Sequence, residues 1–245
     1  MNIATVCRFK KGELNKLWAG HGVSVTSNFV FIAQQLGVGY VCLTTDHDID
    51  RIVSVCDGLI VPGNSNNIDP SYWGEEPFDP PNYFDEYPFD AKVIDAFVRA
   101  GKPIFGTCGG MQSLNVYFGG SLKLVPEKEN HWAYKDPDPV DRYGNQIKYR
   151  MHPVTVEEDS FVADVHGAGR AMVNTYHSWA VDKVAPGFRV VAVSDDGIIE
   201  AFENKEKHIY ATQWHPEAAY RIDDPVEMKF FENFIEVCRQ VAESK

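Results

Sequence analysis

The sequence predicts an α/β fold with a mostly parallel central sheet flanked by helices and an added antiparallel strand region. Three observations carry that expectation. Short apolar runs alternate with amphipathic helical stretches through the first half of the chain, the rhythm of a parallel sheet covered on both faces. Late in the chain strand-like segments follow one another without helices between them, which is an antiparallel pattern. Between these regions a Gly-x-Cys-x-Gly turn, Gly106–Gly110, falls where an apolar strand runs into a helix.

The elements follow in order. Ile3–Cys7 is apolar and short, a buried strand. From about Thr26 to Leu36, Phe29, Ile32, Ala33 and Leu36 recur on one helical face, and Gly37 is placed to end that helix. Tyr40–Thr44 is the next strand, Ile49–Val55 a short helix and Asp57–Val61 a third strand. Ala91–Arg99 reads as a helix, and Pro103, Ile104 and Phe105 as the strand that delivers the cysteine. The segment Asp69–Asp90 is acidic and rich in Pro, Tyr, Trp and Phe, the composition of a loop packed over a site rather than of a solvated linker. From Leu122 to Gly169 the pattern is irregular, with His131-Trp132, a charged turn at Asp136–Arg142 and a strand at Val154–Val156. Strands are expected at Arg189–Ser194, Gly197–Glu203 and His208–Gln213, then an amphipathic helix from Pro225 to about Glu243. No internal repeat or composition shift marks a boundary, so residues 1–245 read as a single domain.

Composition limits the partners. The 245 residues carry a net charge of −12, which argues against nucleic acid or an anionic membrane as the main partner. No apolar stretch approaches the ~20 residues of a membrane span, and the first residues read as a strand rather than a leader, so a cytoplasmic protein is expected. Cys7, Cys42, Cys56, Cys108 and Cys238 are too widely spaced for a disulfide framework or a zinc motif. Apart from Cys108 they lie in apolar surroundings and are expected to be buried free thiols. The eight histidines are scattered along the chain and no clustered metal ligands appear, so neither metal nor cofactor is expected.

Chemistry concentrates at two places. Phe105-Gly106-Thr107-Cys108-Gly109-Gly110-Met111-Gln112 holds a thiol at a helix N-terminus, where the helix dipole favours thiolate. Thr212-Gln213-Trp214-His215-Pro216-Glu217 supplies an imidazole and, two residues on, a carboxylate able to orient it. Nucleophile, base and orienting acid together predict a cysteine hydrolase in which Cys108, His215 and Glu217 form the catalytic set.

These residues carry a resemblance. Asp57-Gly58-Leu59-Ile60-Val61-Pro62-Gly63, Ile68-Asp69-Pro70, Tyr72-Trp73-Gly74-Glu75, the Cys108 elbow, Val173-Asn174, Ala185-Pro186-Gly187-Phe188, Gly197-Ile198-Ile199-Glu200-Ala201 and Gln213–Glu217 resemble class I glutamine amidotransferase-like proteins. Within them the chain is most similar to the γ-glutamyl-γ-aminobutyrate hydrolase family. The resemblance implies the flavodoxin-like glutamine amidotransferase fold and the triad Cys108, His215 and Glu217. It implies an oxyanion hole built from Gly63 or Asn64 together with Gly109. It also implies that Gln112 helps hold a glutamyl group and that His177 lines the pocket beside Ser178 and Trp179. Three departures stand out. Asn64 replaces a second glycine after the proline, Gly109 stands where the hydrolases commonly carry Arg, and Ser178-Trp179 replaces a His-Gln pair.

The expected activity is cleavage of a small γ-glutamyl amide through a γ-glutamyl thioester. The alternative is a glutaminase component that delivers ammonia to a separate synthase partner. A non-catalytic binding module on the same fold is disfavoured by the complete triad, and a homodimer is left open.

Overall fold

The computed structural model describes residues 1–10, 22–44, 46–64, 66–79, 85–126, 131, 150–218 and 224–244. The expected turn at Asp136–Arg142 and residues 80–84 of the acidic segment lie outside them. Strand β1 (Asn2–Val6) is flanked in the sheet by β4 (Gly39–Leu43) and β5 (Gly58–Val61), and β5 by β6 (Ile104–Thr107), all parallel. Strand β13 (Ile209–Thr212) continues the parallel run beside β6. A short hairpin, β2 (Arg8–Lys10) with β3 (Gly22–Ser24), stands apart as its own sheet. The strands of the parallel half are apolar almost throughout, because helices cover both of their faces.

On one face lie α1 (Ser27–Gln35) and α6 (Pro225–Glu243). Phe29 meets Phe231 edge-on at 5.9 Å between ring centres, and Phe230, Phe231 and Phe234 close over Phe105. Helix α6 begins where expected because Asp224 caps it, its carboxylate accepting from the Val226 and Glu227 amides, with Pro225 in the first turn. The opposite face is covered by α2 (Ile49–Val55), α3 (Tyr87–Arg99) and α4 (Gly109–Tyr117), whose Val93, Ile94, Phe97, Met111 and Leu114 join one buried cluster. Helix α3 begins four residues before the expected Ala91. Pro88 is tolerated in its first turn and Asp90 turns inward, so acidic and proline content there marks a helix start rather than a loop.

The expected antiparallel strands are present beyond β13. They extend the same sheet, in the order β4-β1-β5-β6-β13-β12-β11-β8-β9, so the central sheet is mixed. Here β8 is Arg150–Val156, β9 Gly169–Thr175, β11 Arg189–Ser194 and β12 Ile199–Asn204. Strands β7 (Ser121–Leu124) and β10 (Trp179–Lys183) pair with each other, and β10 joins the sheet through β12. Strands β7, β9 and β10 were not expected from sequence. Polar and apolar residues mix along them because they are covered unevenly, as the exposed Leu124 and Met172 show. A single turn of helix, α5 (Ala163–His166), bridges β8 and β9.

Candidate active site

The register of three parallel strands assembles the site. Thr107 at the end of β6 lies opposite Thr212 at the end of β13, and Val61 at the end of β5 lies opposite Gly106. Cys108, the segment leading to His215, and the Pro62–Asn64 turn therefore leave the same sheet edge side by side, the edge where open α/β sheets gather ligands. The Cys108 amide donates to Thr212 O at 2.8 Å, locking the elbow to its neighbour.

Cys108 has φ 51° and ψ −111°, a left-handed conformation disfavoured for any residue with a Cβ. The elbow tolerates it because the flanking chain is tightly packed. A Cβ at Gly110 would stand 1.8 Å from Val61 O, so only glycine lets helix α4 approach β5 this closely. The result turns the thiol out of the strand and into the cavity mouth, where Sγ contacts Tyr176 O at 3.9 Å.

His215 Nδ1 and Glu217 Oε1 are 2.8 Å apart. Asn174 clamps the backbone of His215 from both sides, accepting from its amide and donating to its carbonyl, each at 2.9 Å. Burial would push the His215 pKa down. The adjacent Cys108 sulfur and then Glu217 outweigh that and hold it well above the ordinary imidazole value. Gly63 shows how close the groups are, since a Cβ there would lie 3.1 Å from His215 Cε1 and 3.3 Å from Cys108 Cβ.

Every residue assigned to the site from sequence, Cys108, His215, Glu217, Gly63, Asn64, Gly109, Gln112, His177, Ser178 and Trp179, lines one cavity of about 570 Å³. Gln112 is buried rather than exposed, and its amide nitrogen donates to Trp179 O at 2.7 Å and to Gln213 Oε1 at 3.2 Å. His177 lines the wall, yet its nitrogens turn away from the cavity. Nδ1 lies 3.0 Å from Trp179 O and Nε2 3.4 Å from Glu200 Oε1. The acidic, aromatic segment does reach the wall, where Trp73 and Phe78 pack edge-on against Trp179.

Sequence reasoning missed Arg8. Buried at the start of β2, it pairs with Asp90 at 2.6 Å and donates to Pro62 O at 2.5 Å and Gly63 O at 3.3 Å. In a trans peptide C=O and N–H point in opposite directions. By gripping these two carbonyls, Arg8 fixes the opposed N–H groups of Gly63 and Asn64, the alternatives expected for the donor that partners Gly109. Asp90 is itself held by Ser113 at 2.7 Å, so the turn is tied to α3 and α4 through one cation.

The departures at Asn64 and Gly109 prove to be one feature. A Cβ at Gly109 would stand 2.8 Å from Asn64 Oδ1 and 2.9 Å from Asn64 N. The Asn64 side chain occupies the space a side chain at residue 109 would need. A different correction concerns Cys42, which is exposed, whereas Cys7, Cys56 and Cys238 are buried as expected. The histidines, scattered in sequence, are gathered in space: His131, His152 and His177 surround Glu200, so spacing along the chain was no guide to metal-ligating groups. No helix among the described residues is long and apolar enough to cross a membrane.

A thiol on a strand-to-helix elbow, beside a carboxylate-paired imidazole and at the carboxyl edge of a mixed sheet, defines an architecture shared with glutamine amidotransferases. A glutamine amidotransferase from Thermotoga maritima superposes with a TM-score of 0.60 at 13% identity, covering 97% of each chain. The glutaminase domain of Trypanosoma brucei CTPS superposes with a TM-score of 0.60 at 17% identity, over 98% of this chain and 94% of that one. The chain belongs to the Peptidase C26 family, whose pattern it matches over residues 3–217. It is 30% identical over 235 residues to the glutamine amidotransferase-like protein YvdE of Lactococcus lactis, covering 91% of this chain and 92% of the relative. It is 32% identical over 200 residues to the γ-glutamyl-γ-aminobutyrate hydrolase PuuD of Escherichia coli, covering 78% of this chain and 75% of the relative. The protein is thus a glutamine amidotransferase-like hydrolase.

Proposed function

We propose that the chain hydrolyses the γ-glutamyl amide bond of a small γ-glutamyl compound, with Cys108, His215 and Glu217 as its catalytic triad. The observation that carries this reading is the placement of the His215 imidazole beside the Cys108 sulfur, with Nδ1 2.8 Å from Glu217 Oε1, neighbours that raise its pKa despite burial. An imidazolium paired with a thiolate is the charge state from which acyl transfer by a cysteine starts.

Cys108 Sγ attacks the γ-carbonyl carbon, and the oxygen gains negative charge facing the amides of Gly63 or Asn64 and of Gly109. One such donor is worth about 3 kcal/mol in the transition state. The tetrahedral adduct collapses as His215 passes its proton to the departing amine. Water, deprotonated by the same imidazole, then opens the γ-glutamyl thioester and frees glutamate and the thiol. Glu217 orients the ring and stabilises its cationic form. No step needs a cofactor.

The amine portion follows from the wall. Trp179, backed by Trp73 and Phe78, presents an aromatic surface, and the neighbouring segment is rich in carboxylates. Such a rim suits an apolar or cationic amine larger than ammonia, with cation–π contact worth about 0.5–2 kcal/mol. The similarity to YvdE, a glutamine amidotransferase-like protein, supports the second reading, a glutaminase that feeds ammonia to a synthase partner. Measuring kcat/KM for glutamine against a series of γ-glutamyl amines tests both. The hydrolase reading expects the larger amines to be cleaved faster by the protein alone. A preference for glutamine that appears only when a partner protein is added overturns it.

A further inference from the structure

We propose that His131, His152 and Glu200, with His177 adjoining Glu200, form a buried site for a zinc-class divalent transition-metal ion behind the wall of the catalytic cavity. The proposal is independent of the hydrolase reading.

The four residues come from separate places in the chain. His152 lies on β8, Glu200 on β12, His177 just beyond β9, and His131 in the connection between β7 and β8. Their side chains are shut from solvent, at 1% exposure for His131, 11% for His152, 1% for His177 and 0% for Glu200. Among the described residues neither carboxylate oxygen of Glu200 has a hydrogen-bond partner, nor does Nε2 of His152 or His177. A carboxylate this deep without hydrogen bonds or a cation is strongly disfavoured.

The outer nitrogens settle which way the lone pairs point. His177 Nδ1, 3.0 Å from Trp179 O, must carry hydrogen because a carbonyl only accepts. Its Nε2 lone pair then faces Glu200 Oε1 at 3.4 Å. His131 Nε2, 2.8 Å from Asp196 Oδ2, donates to that carboxylate. Its Nδ1 then stands 3.3 Å from Thr175 Oγ1 and 3.6 Å from the same Glu200 oxygen, and His152 Nε2 stands 3.6 Å from that oxygen. Donation of the outer N–H to a carboxylate or a backbone carbonyl is the arrangement that orients metal-bound imidazoles.

The separations choose between a proton and an ion. A shared proton would draw nitrogen and oxygen to about 2.7–3.2 Å. Ligand atoms at about 2.0–2.1 Å from tetrahedral zinc stand about 3.3–3.4 Å from one another. The observed 3.4, 3.6 and 3.6 Å exceed hydrogen-bond lengths, and ligand atoms of His131, His152 and Glu200 all lie within 4.8 Å of one another, close enough to share one ion. Imidazole donors beside one carboxylate suit zinc, and exclude magnesium and calcium, which take oxygen shells. With side-chain exposures of 11% or less, substrate has no access to the ion, which is therefore structural.

Its position gives it a task. His177 belongs to the wall segment whose Tyr176 carbonyl meets Cys108 Sγ and whose Trp179 carbonyl holds Gln112. Glu200 O accepts from the Gln213 amide at 2.7 Å, two residues before His215. The ion therefore braces the cavity wall against the strand that delivers the base. These are positioning roles, and the metal touches no reacting atom.

The test uses the full chain purified without a polyhistidine tag. Metal analysis after dialysis is expected to find about one zinc per chain in wild type and in Cys108→Ala, and none in Glu200→Gln. Cobalt(II) titrated into chelator-stripped wild type should give the intense visible bands of a tetrahedral site, absent from Glu200→Gln and from His152→Ala. Zinc added to stripped wild type should raise Tm, because an ion that binds only the folded state stabilises it. Wild type that is folded by circular dichroism yet shows no saturable cobalt binding and no zinc-dependent Tm overturns the proposal. A cobalt spectrum unchanged in Glu200→Gln does the same. If one variant does not fold, the stripped wild-type titration and the other variant decide.

Discussion

His215 with Glu217 and His177 with Glu200 are both buried imidazole–carboxylate contacts, yet they are built on different principles. The first is a single pair at 2.8 Å, two residues apart in sequence, with its backbone clamped by Asn174. The second is one carboxylate ringed by three imidazoles at 3.4–3.6 Å, drawn from distant segments. At 2.8 Å a proton is held between the groups, and charge can move with it during a reaction. At 3.4–3.6 Å inward lone pairs confront one another, and a cation is needed to hold them. Separation, rather than residue type, distinguishes a proton-transfer site from an ion cage.

The sharpest way to break that comparison is to cut each set in turn. Cys108→Ala should lower hydrolysis about 10⁴-fold or more, His215→Ala by a similar factor, and Glu217→Gln by about 10²–10⁴-fold, all with the fold intact. An electrophilic glutamine analogue should label Cys108 alone. Burial pushes the Cys7 thiol up to about 12 and the Cys56 thiol to about 11 and raises Cys238, which keeps these three poorly nucleophilic near neutral pH, while the exposed Cys42 lies outside the cavity. Labelling spread evenly over the five cysteines contradicts the catalytic assignment. If Glu217→Gln changed metal content, the two sites would not be separable.

What could be read from the sequence divides along the same line. The proximity of Cys108, His215 and Glu217 was legible because they sit in two short motifs at strand ends, and parallel register alone brings those ends together. The helices with a clear apolar face, α1 and α6, were legible for a similar local reason. The histidine cluster was not, because its members become neighbours only through antiparallel pairing of β8, β9, β11 and β12, and β9 itself carries a mixed polar pattern. Arg8 was invisible because nothing in a short strand end announces that a cation will turn inward onto Asp90, some eighty residues away. Long-range polar contacts follow from topology, and periodicity does not encode topology.

Arg8 sharpens the catalytic side of the comparison, since it acts on the oxyanion turn without touching the imidazole. Arg8→Met should lower kcat about 10²-fold, comparable to losing one oxyanion donor, with a smaller change in KM. It should also cost about 3–5 kcal/mol of stability by leaving Asp90 buried without its cation. Arg8→Met combined with Asp90→Asn should recover most of that stability, measured by urea unfolding, and little of the rate. Recovery of both together would reduce Arg8 to a packing role.

A smaller effect is expected where Asn64 fills the space beside Gly109. Gly109→Ala should destabilise by about 1–3 kcal/mol through overpacking. In an Asn64→Gly background the part due to the side-chain oxygen disappears, and the part due to the Asn64 backbone nitrogen persists. A double-mutant cycle on unfolding free energy should therefore give a coupling of about 1 kcal/mol. Strict additivity would show that the two departures are unrelated.

The smallest effect is electrostatic and concerns only the proton on His215. Its pKa is raised in the folded protein, so folding favours the protonated ring. The associated stability is fully present below the unfolded imidazole value of about 6.5 and is lost as pH rises through the higher folded value. Each unit between the two values is worth about 1.4 kcal/mol. Among the groups that raise the pKa, the Cys108 sulfur contributes more than Glu217, with burial opposing both. An NMR titration of the His215 ring should therefore show its pKa falling further in Cys108→Ala than in Glu217→Gln. Unfolding measured from about pH 6 upward should show wild type losing stability relative to His215→Gln over the same window. A ring that titrates near its ordinary value in wild type would mean that burial prevails over its two partners, and that the base enters the reaction neutral.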